Sequence, residues 1–108
     1  MGFAVEKIVE QGLLYDFYGE LLTEHQRQIY ESRVFDNLSL SEIAEDFEIS
    51  RQGVHDLIKR CDKILQGYED KLHLLQKFMN IKETITQIES ITNQDDVRKL
   101  ANRILEEL

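Results

Sequence analysis

The residues of this chain best suited to chemical contact cluster between Arg51 and Lys63, where Arg51, Gln52, His55, Asp56, Lys59, Arg60 and Lys63 recur at steps of three and four. That spacing gathers side chains along one side of a helix. Gln52 and His55 carry groups that hydrogen-bond base edges, and Arg51, Lys59, Arg60 and Lys63 carry charges that pair with phosphates, so the pattern points to nucleic-acid binding. Catalysis has no such constellation. His25, His55 and His73 lie far apart in the sequence, no HExxH, phosphate-loop or GxSxG spacing occurs, and the carboxylates fall mostly on polar helix faces where solvation explains them. No catalytic residue and no enzyme activity are therefore predicted. One cysteine, Cys61, can make neither an internal disulfide nor a cysteine-rich zinc site, so no metal or cofactor is predicted and the thiol is read as buried.

The elements that must position these residues are helical. The segment LSEIAEDFEISRQGVHDLIKR, within about 39–60, has the spacing of a helix-turn-helix. Ser39 with Glu42 forms an S-x-x-E capping box that opens a short helix carrying Leu40, Ile43, Ala44 and Phe47. Ala44 is the small residue that lets a second helix cross closely. Glu48 occupies the turn position that adopts a left-handed conformation, at a cost of about 1 kcal/mol for a residue with a side chain. Ser50 then caps the second helix, which drops Val54 and Leu57 or Ile58 into the shared core. Gly53 in its first turn is a poor helix former.

Apolar residues recur at helical spacing almost throughout the rest of the chain, which makes it an all-α protein. A first helix from about Phe3 to Leu22 has a broad apolar face including Val5, Ile8, Val9, Leu13, Leu14, Phe17, Tyr18 and Leu21. Thr23 with Gln26 is a second capping box, for a helix ending near Asp36 and Asn37. Tyr15, Tyr18 and Tyr30 are read as packing between helices with their hydroxyls at the surface. The helix opened by Ser50 carries an apolar line through Cys61, Ile64, Leu65, Tyr68, Leu72 and Leu75. It either runs unbroken to about Thr92 or kinks around Gly67 or Asn80. Asn93, followed by Asp95 and Asp96, is the predicted start of a last helix with a stripe from Val97 to Leu108.

Composition bounds the function classes. With 108 residues, 42% apolar, 31% charged and no proline, the chain is predicted to be a single all-α domain, with the long helix and tail filling about 51–108. No run of about 18 apolar residues occurs, and Glu6 and Glu10 stand where a signal peptide needs cationic and apolar residues, so a cytoplasmic location without membrane insertion is predicted. Net charge is −8, which argues against indiscriminate attraction to nucleic acid or anionic membrane. The charge is uneven: residues 1–48 hold three cations and eleven acids, residues 49–78 six and four, and residues 79–108 four and six. A phosphate field would draw the middle segment forward and turn the amino-terminal third away. The apolar line from Ile64 to Ile88, together with the last stripe, predicts a homodimer.

From Leu14 to about Phe78, the run LYDFYGELLTEHQRQIYESRVFDNLSLSEIAEDFEISRQGVHDLIKR, continuing through YEDKLHLLQKF, resembles the YlxM family of small bacterial helix-turn-helix proteins. The LYDFY opening, the LLTEHQR cap, the SLSEIA segment and the YEDKL segment occur in the family's order. The resemblance implies an all-α fold whose helix-turn-helix core is similar to region 4 of bacterial sigma factors, with a long helix and a C-terminal helix. It implies a cytoplasmic, non-enzymatic accessory or regulator of the signal recognition particle pathway of co-translational targeting, acting through the particle's RNA, its GTPase or both. The alternative reading is a DNA-binding transcriptional regulator. In either case the nucleic-acid contacts are assigned to Arg51, Gln52, His55, Lys59, Arg60 and Lys63.

Overall fold

A computed structural model describes residues 3–108, with side chains from Lys7 onward. Among them the chain forms six α-helices and no strand: α1 (Phe3–Tyr18), α2 (Glu24–Val34), α3 (Leu40–Phe47), α4 (Arg51–Leu72), α5 (Leu74–Ile91) and α6 (Asp95–Glu107). They divide into two compact units, the first ending at Leu72 and the second running from His73 to Leu108.

In the first unit α4 is the central element, with α1, α2 and α3 packed against it. Its apolar stripe, Val54, Ile58, Cys61 and Leu65, is buried with Leu14 and Tyr18 of α1, Ile29, Tyr30 and Val34 of α2, and Ile43 of α3. The Val5 position of the predicted α1 face lies outside the residues whose side chains are described. The first helix stops at Tyr18, four residues short of the expected Leu22, and a 3-10 turn over Gly19–Leu21 follows. The cause is local. A Cβ on Gly19 would stand 2.8 Å from Tyr15 ring atoms, so the ring lies where only a glycine leaves room. Leu22 then turns to extended backbone, its N–H donating to the Gly19 carbonyl at 3.1 Å.

Both capping boxes form. The Gln26 N–H donates to Thr23 Oγ1 at 3.2 Å and the Thr23 N–H to Gln26 Oε1 at 2.9 Å. At α3 the Glu42 N–H donates to Ser39 Oγ at 3.1 Å and the Ser39 N–H to Glu42 Oε1 at 3.0 Å. Each box satisfies two backbone donors that a helix start otherwise leaves to water. Glu48 ends α3 with φ 56° and ψ 41°, the left-handed geometry the motif requires, and Ile49 N–H closes the turn on the Ala44 carbonyl at 3.1 Å. Ser50 Oγ accepts from the Gly53 N–H at 2.9 Å and so caps α4.

The tyrosines do pack between helices, but their hydroxyls are taken by carboxylates and not left to solvent. Tyr30 has no exposed surface and its hydroxyl donates to Asp62 Oδ1 at 2.6 Å. Gln11 Nε2 donates to both oxygens of the same carboxylate, at 2.9 and 3.2 Å. Tyr18 donates to Glu69 Oε1 at 2.6 Å, and Tyr15 bonds Glu31 while accepting from Arg27 Nε at 3.3 Å. The Gln11–Asp62 and Tyr18–Glu69 pairs share a sequence separation of 51, so α1 and α4 run parallel in a fixed register.

The helix opened by Ser50 neither continues to Thr92 nor kinks at Gly67 or Asn80, which lie inside α4 and α5. It ends at Leu72 because His73 takes φ 56° and ψ 29°, which carries the chain out of the hydrogen-bond ladder; a new ladder starts with the Lys77 N–H on the His73 carbonyl at 3.0 Å. Histidine is among the few non-glycine residues enriched in that conformation.

In the second unit α5 and α6 pair as a helical hairpin that buries Ile85 and Ala101. The last helix starts one residue later than the predicted Asn93 cap. Gln94 is the capping residue and makes no side-chain cap bond; instead its N–H is held by Thr92 Oγ1 at 3.1 Å, and Arg98 Nη2 donates to the Thr92 carbonyl at 3.0 Å. Asp95 and Asp96 occupy the first turn, where the helix dipole favours carboxylates.

Candidate nucleic-acid interface

The candidate contact residues all lie on α4, and each is exposed: Arg51, Gln52, His55, Lys59, Arg60 and Lys63. They are held there by their neighbours. Val54, Ile58, Cys61 and Leu65 pin the opposite side of the helix in the core, so the polar residues at three- and four-residue steps are turned to solvent. The Cys61 thiol is fully buried, and its pKa is pushed up to about 11 by burial first and by the neighbouring Asp62 second, which leaves it a small core residue. The helix-turn-helix presents this surface through two residues, Glu48 in the turn and Ser50 at the cap.

Asp56 organises the exposed face. Its Oδ1 accepts from Gln52 Nε2 at 2.9 Å and lies 3.5 Å from His55 Nδ1. Two of the base-reading candidates are thus tied to one carboxylate in the middle of the surface. The arrangement fixes the Gln52 amide with its second N–H and its carbonyl oxygen free, the pair of groups that reads an adenine edge. The same carboxylate shares a groove lining with Lys59, Arg60 and Lys63, Lys59 and Arg60 standing three and four residues on, so it offsets part of the attraction those cations would have for an anion.

The other histidines belong elsewhere. His25 of α2 meets the Phe47 ring of α3 edge-on, centroids 6.1 Å apart, and His73 forms the left-handed break. Among the described residues no group of three or more histidines, cysteines and carboxylates could hold a metal ion, and no helix is long and apolar enough to cross a membrane.

Two features are not apparent from the sequence pattern. The first is the Gln11–Asp62–Tyr30 cluster, which ties α1, α2 and α4 together beside the contact residues, with Asp62 half-buried between them and the core. Burial and the hydrogen bond to Asp62 hold the Tyr30 phenol well above its ordinary pKa, so it remains a donor at all ordinary pH values. An acid at position 62, beside the buried Cys61, is the one signal of it in the sequence. The second is Lys7. It comes from the acid-rich third expected to turn away from phosphate, yet it lines open grooves with His55, Lys59 and Lys63 of α4.

Over residues 5–104 the chain matches the family model UPF0122, described as "Putative helix-turn-helix protein, YlxM / p13 like". It is 42% identical over 92 residues to UPF0122 proteins of Bacillus thuringiensis (strain Al Hakam) and Bacillus mycoides (strain KBAB4), covering 85% of this chain and 84% of each relative. A UPF0122 protein of Bacillus anthracis (strain A0248) is 41% identical over the same share of both chains.

Proposed function

We propose that this chain, which belongs to the UPF0122 family of YlxM/p13-like helix-turn-helix proteins, is a non-enzymatic, cytoplasmic regulator that binds duplex DNA through the exposed face of α4. The observation that carries this reading is the outward display of Arg51, Gln52, His55, Lys59, Arg60 and Lys63 by a helix-turn-helix whose turn and caps are fully formed. A capped, core-pinned helix holds such side chains in one geometry, and groove reading needs that. Similarity of the core to region 4 of sigma factors is part of the same proposal.

A second reading, action on the signal recognition particle through its RNA or GTPase, is favoured by one observation. Asp56 and the net charge of −8 suit a selective partner better than indiscriminate attraction to duplex phosphate. Affinity recovery of the tagged chain from lysate, with parallel deoxyribonuclease and ribonuclease treatments, separates the two. Recovery of discrete DNA fragments, lost with deoxyribonuclease, supports the first; co-recovery of one RNA, lost with ribonuclease, supports the second.

A homodimer completes the proposal. On α6 the apolar stripe leaves Leu100, Ile104 and Leu108 exposed, at 59%, 48% and 48%. A second copy covering that stripe would give the assembly two sets of the α4 cations. Light scattering at about 100 μM should report twice the chain mass, since most specific interfaces associate well below that concentration; a monodisperse monomer there removes the dimer.

A further inference from the structure

Lys7 lies in α1, within the part of the chain that holds three cations against eleven acids, and nothing in its sequence neighbourhood marks it for contact with an anion. The register of the fold changes that. Gln11 meets Asp62 and Tyr18 meets Glu69 at the same separation of 51, so one turn before Gln11 the parallel packing carries Lys7 alongside Ile58, between His55, Lys59 and Asp62. The surface there is concave. An open groove of about 460 Å³ is lined by Lys7, Asp56, Lys59, Arg60, Asp62 and Lys63, and an adjoining one of about 230 Å³ has Lys7, Arg33, His55, Lys59 and Asp62 as its charged or titratable lining.

Four cations and two acids line the larger groove, a local excess of positive charge in a chain whose net charge is −8. One of the two acids is already committed. Asp62 accepts from Gln11 and Tyr30 on Oδ1 and from Gln11 on Oδ2, which fixes its carboxylate in place; with Asp56 it still carries charge, and the excess of two positive charges in the groove is net of both acids. Lys7, Lys59 and Lys63 are exposed, and none of them is held in an ion pair that the structure describes. A row of lysines shared between α4, the helix that would enter a groove of the duplex, and the parallel α1 is an arrangement that can receive a sugar–phosphate backbone.

We propose that Lys7 is a phosphate-anchoring residue, and that α1 and α4 together form a cationic groove that seats one backbone strand of a DNA duplex bound at α4. This rests on the DNA reading above and extends it to a helix outside the helix-turn-helix. It raises the cations in reach of phosphate from the four on α4 to five in each copy. The alternative, that α1 only supports α4 from behind, leaves Lys7 solvated and without effect on binding.

The test is the salt dependence of binding to a random-sequence duplex of about 30 base pairs, followed by fluorescence anisotropy, because phosphate contacts do not depend on sequence. For one bound copy, five contacts give a slope of log K against log salt of about −4.5, and Lys7→Ala should bring it to about −3.6, both values doubling where a dimer seats both copies on the duplex. Between about 50 and 200 mM salt the wild type should then lose affinity about 500-fold and the variant about 150-fold. Lys59→Ala should behave like Lys7→Ala. Lys71→Ala, which removes an exposed cation that lines neither groove, should match the wild type. Circular dichroism confirms that each variant is folded. If Lys7→Ala keeps the wild-type slope while Lys59→Ala lowers it, the α1 contribution is overturned and the α4 reading stands. If the wild type binds no duplex even at low salt, both fall.

Discussion

The Tyr30 hydroxyl donates to Asp62 Oδ1 at 2.6 Å, joining a fully buried phenol on α2 to the helix that carries the candidate contact face. Gln11 of α1 completes the cluster on the same carboxylate, so three helices meet at one half-buried side chain beside that face. Removing Asp62 orphans the Tyr30 phenol, whereas removing the phenol leaves Asp62 still bonded to Gln11. Asp62→Ala should therefore cost about 2 to 3 kcal/mol and Tyr30→Phe about 1 kcal/mol, with the double variant costing less than the sum. Urea melts of the three variants measure this; strict additivity would show that the two groups do not cooperate.

Glu48 holds φ 56° in the turn before α4, a conformation glycine adopts without steric cost. Its side chain is exposed. Glu48→Gly should stabilise the first unit by about 0.5 to 1 kcal/mol, the relief of strain exceeding the extra entropy of the unfolded chain. A lower denaturation midpoint would mean that the glutamate makes a compensating contact.

Glu42 closes the capping box of α3, and hydrogen bonds from the backbone and side chain of Ser39 hold its carboxyl below its ordinary value of 4.5. A depressed carboxylate contributes stability that is fully present above the unfolded value and is lost as pH falls through the lower folded value. Melting followed between pH 6 and pH 3 should therefore show wild type losing more stability below about pH 4.5 than Glu42→Gln, whose amide oxygen still accepts from Ser39 but does not titrate. Parallel curves for the two proteins would place the acid sensitivity elsewhere.

What the sequence discloses about this fold is what is encoded locally. The boxes at Thr23 and Ser39, the left-handed Glu48 and the buried stripe from Val54 to Leu65 each depend on residues within one or two turns, and each is legible in the residue pattern alone. The break at His73 is not, because the apolar line passes through Leu72 and Leu75 without interruption and no glycine or proline marks the site. The Asp62 cluster joins residues 51 and 32 positions apart, so it becomes visible only once α1 and α2 are docked on α4. The same register moves Lys7 from an acid-rich stretch to the rim of a cationic groove. Segment charge taken along the chain predicts the opposite, since helices that are distant in sequence can share one surface.

Binding of nucleic acid by the exposed face of α4 is the central claim, and one measurement addresses it most directly. Affinities for a random duplex, the signal recognition particle RNA and the particle's GTPase are measured at several salt concentrations, with the wild type and with the Arg51→Ala, Lys59→Ala, Arg60→Ala triple variant. The wild type should bind nucleic acid, and the triple variant should bind it more weakly with a salt slope shallower by about 2.7, three phosphate contacts having been removed. Unchanged nucleic-acid binding by the triple variant, or binding to the GTPase alone and equally by both proteins, would contradict the claim and move the functional surface off α4.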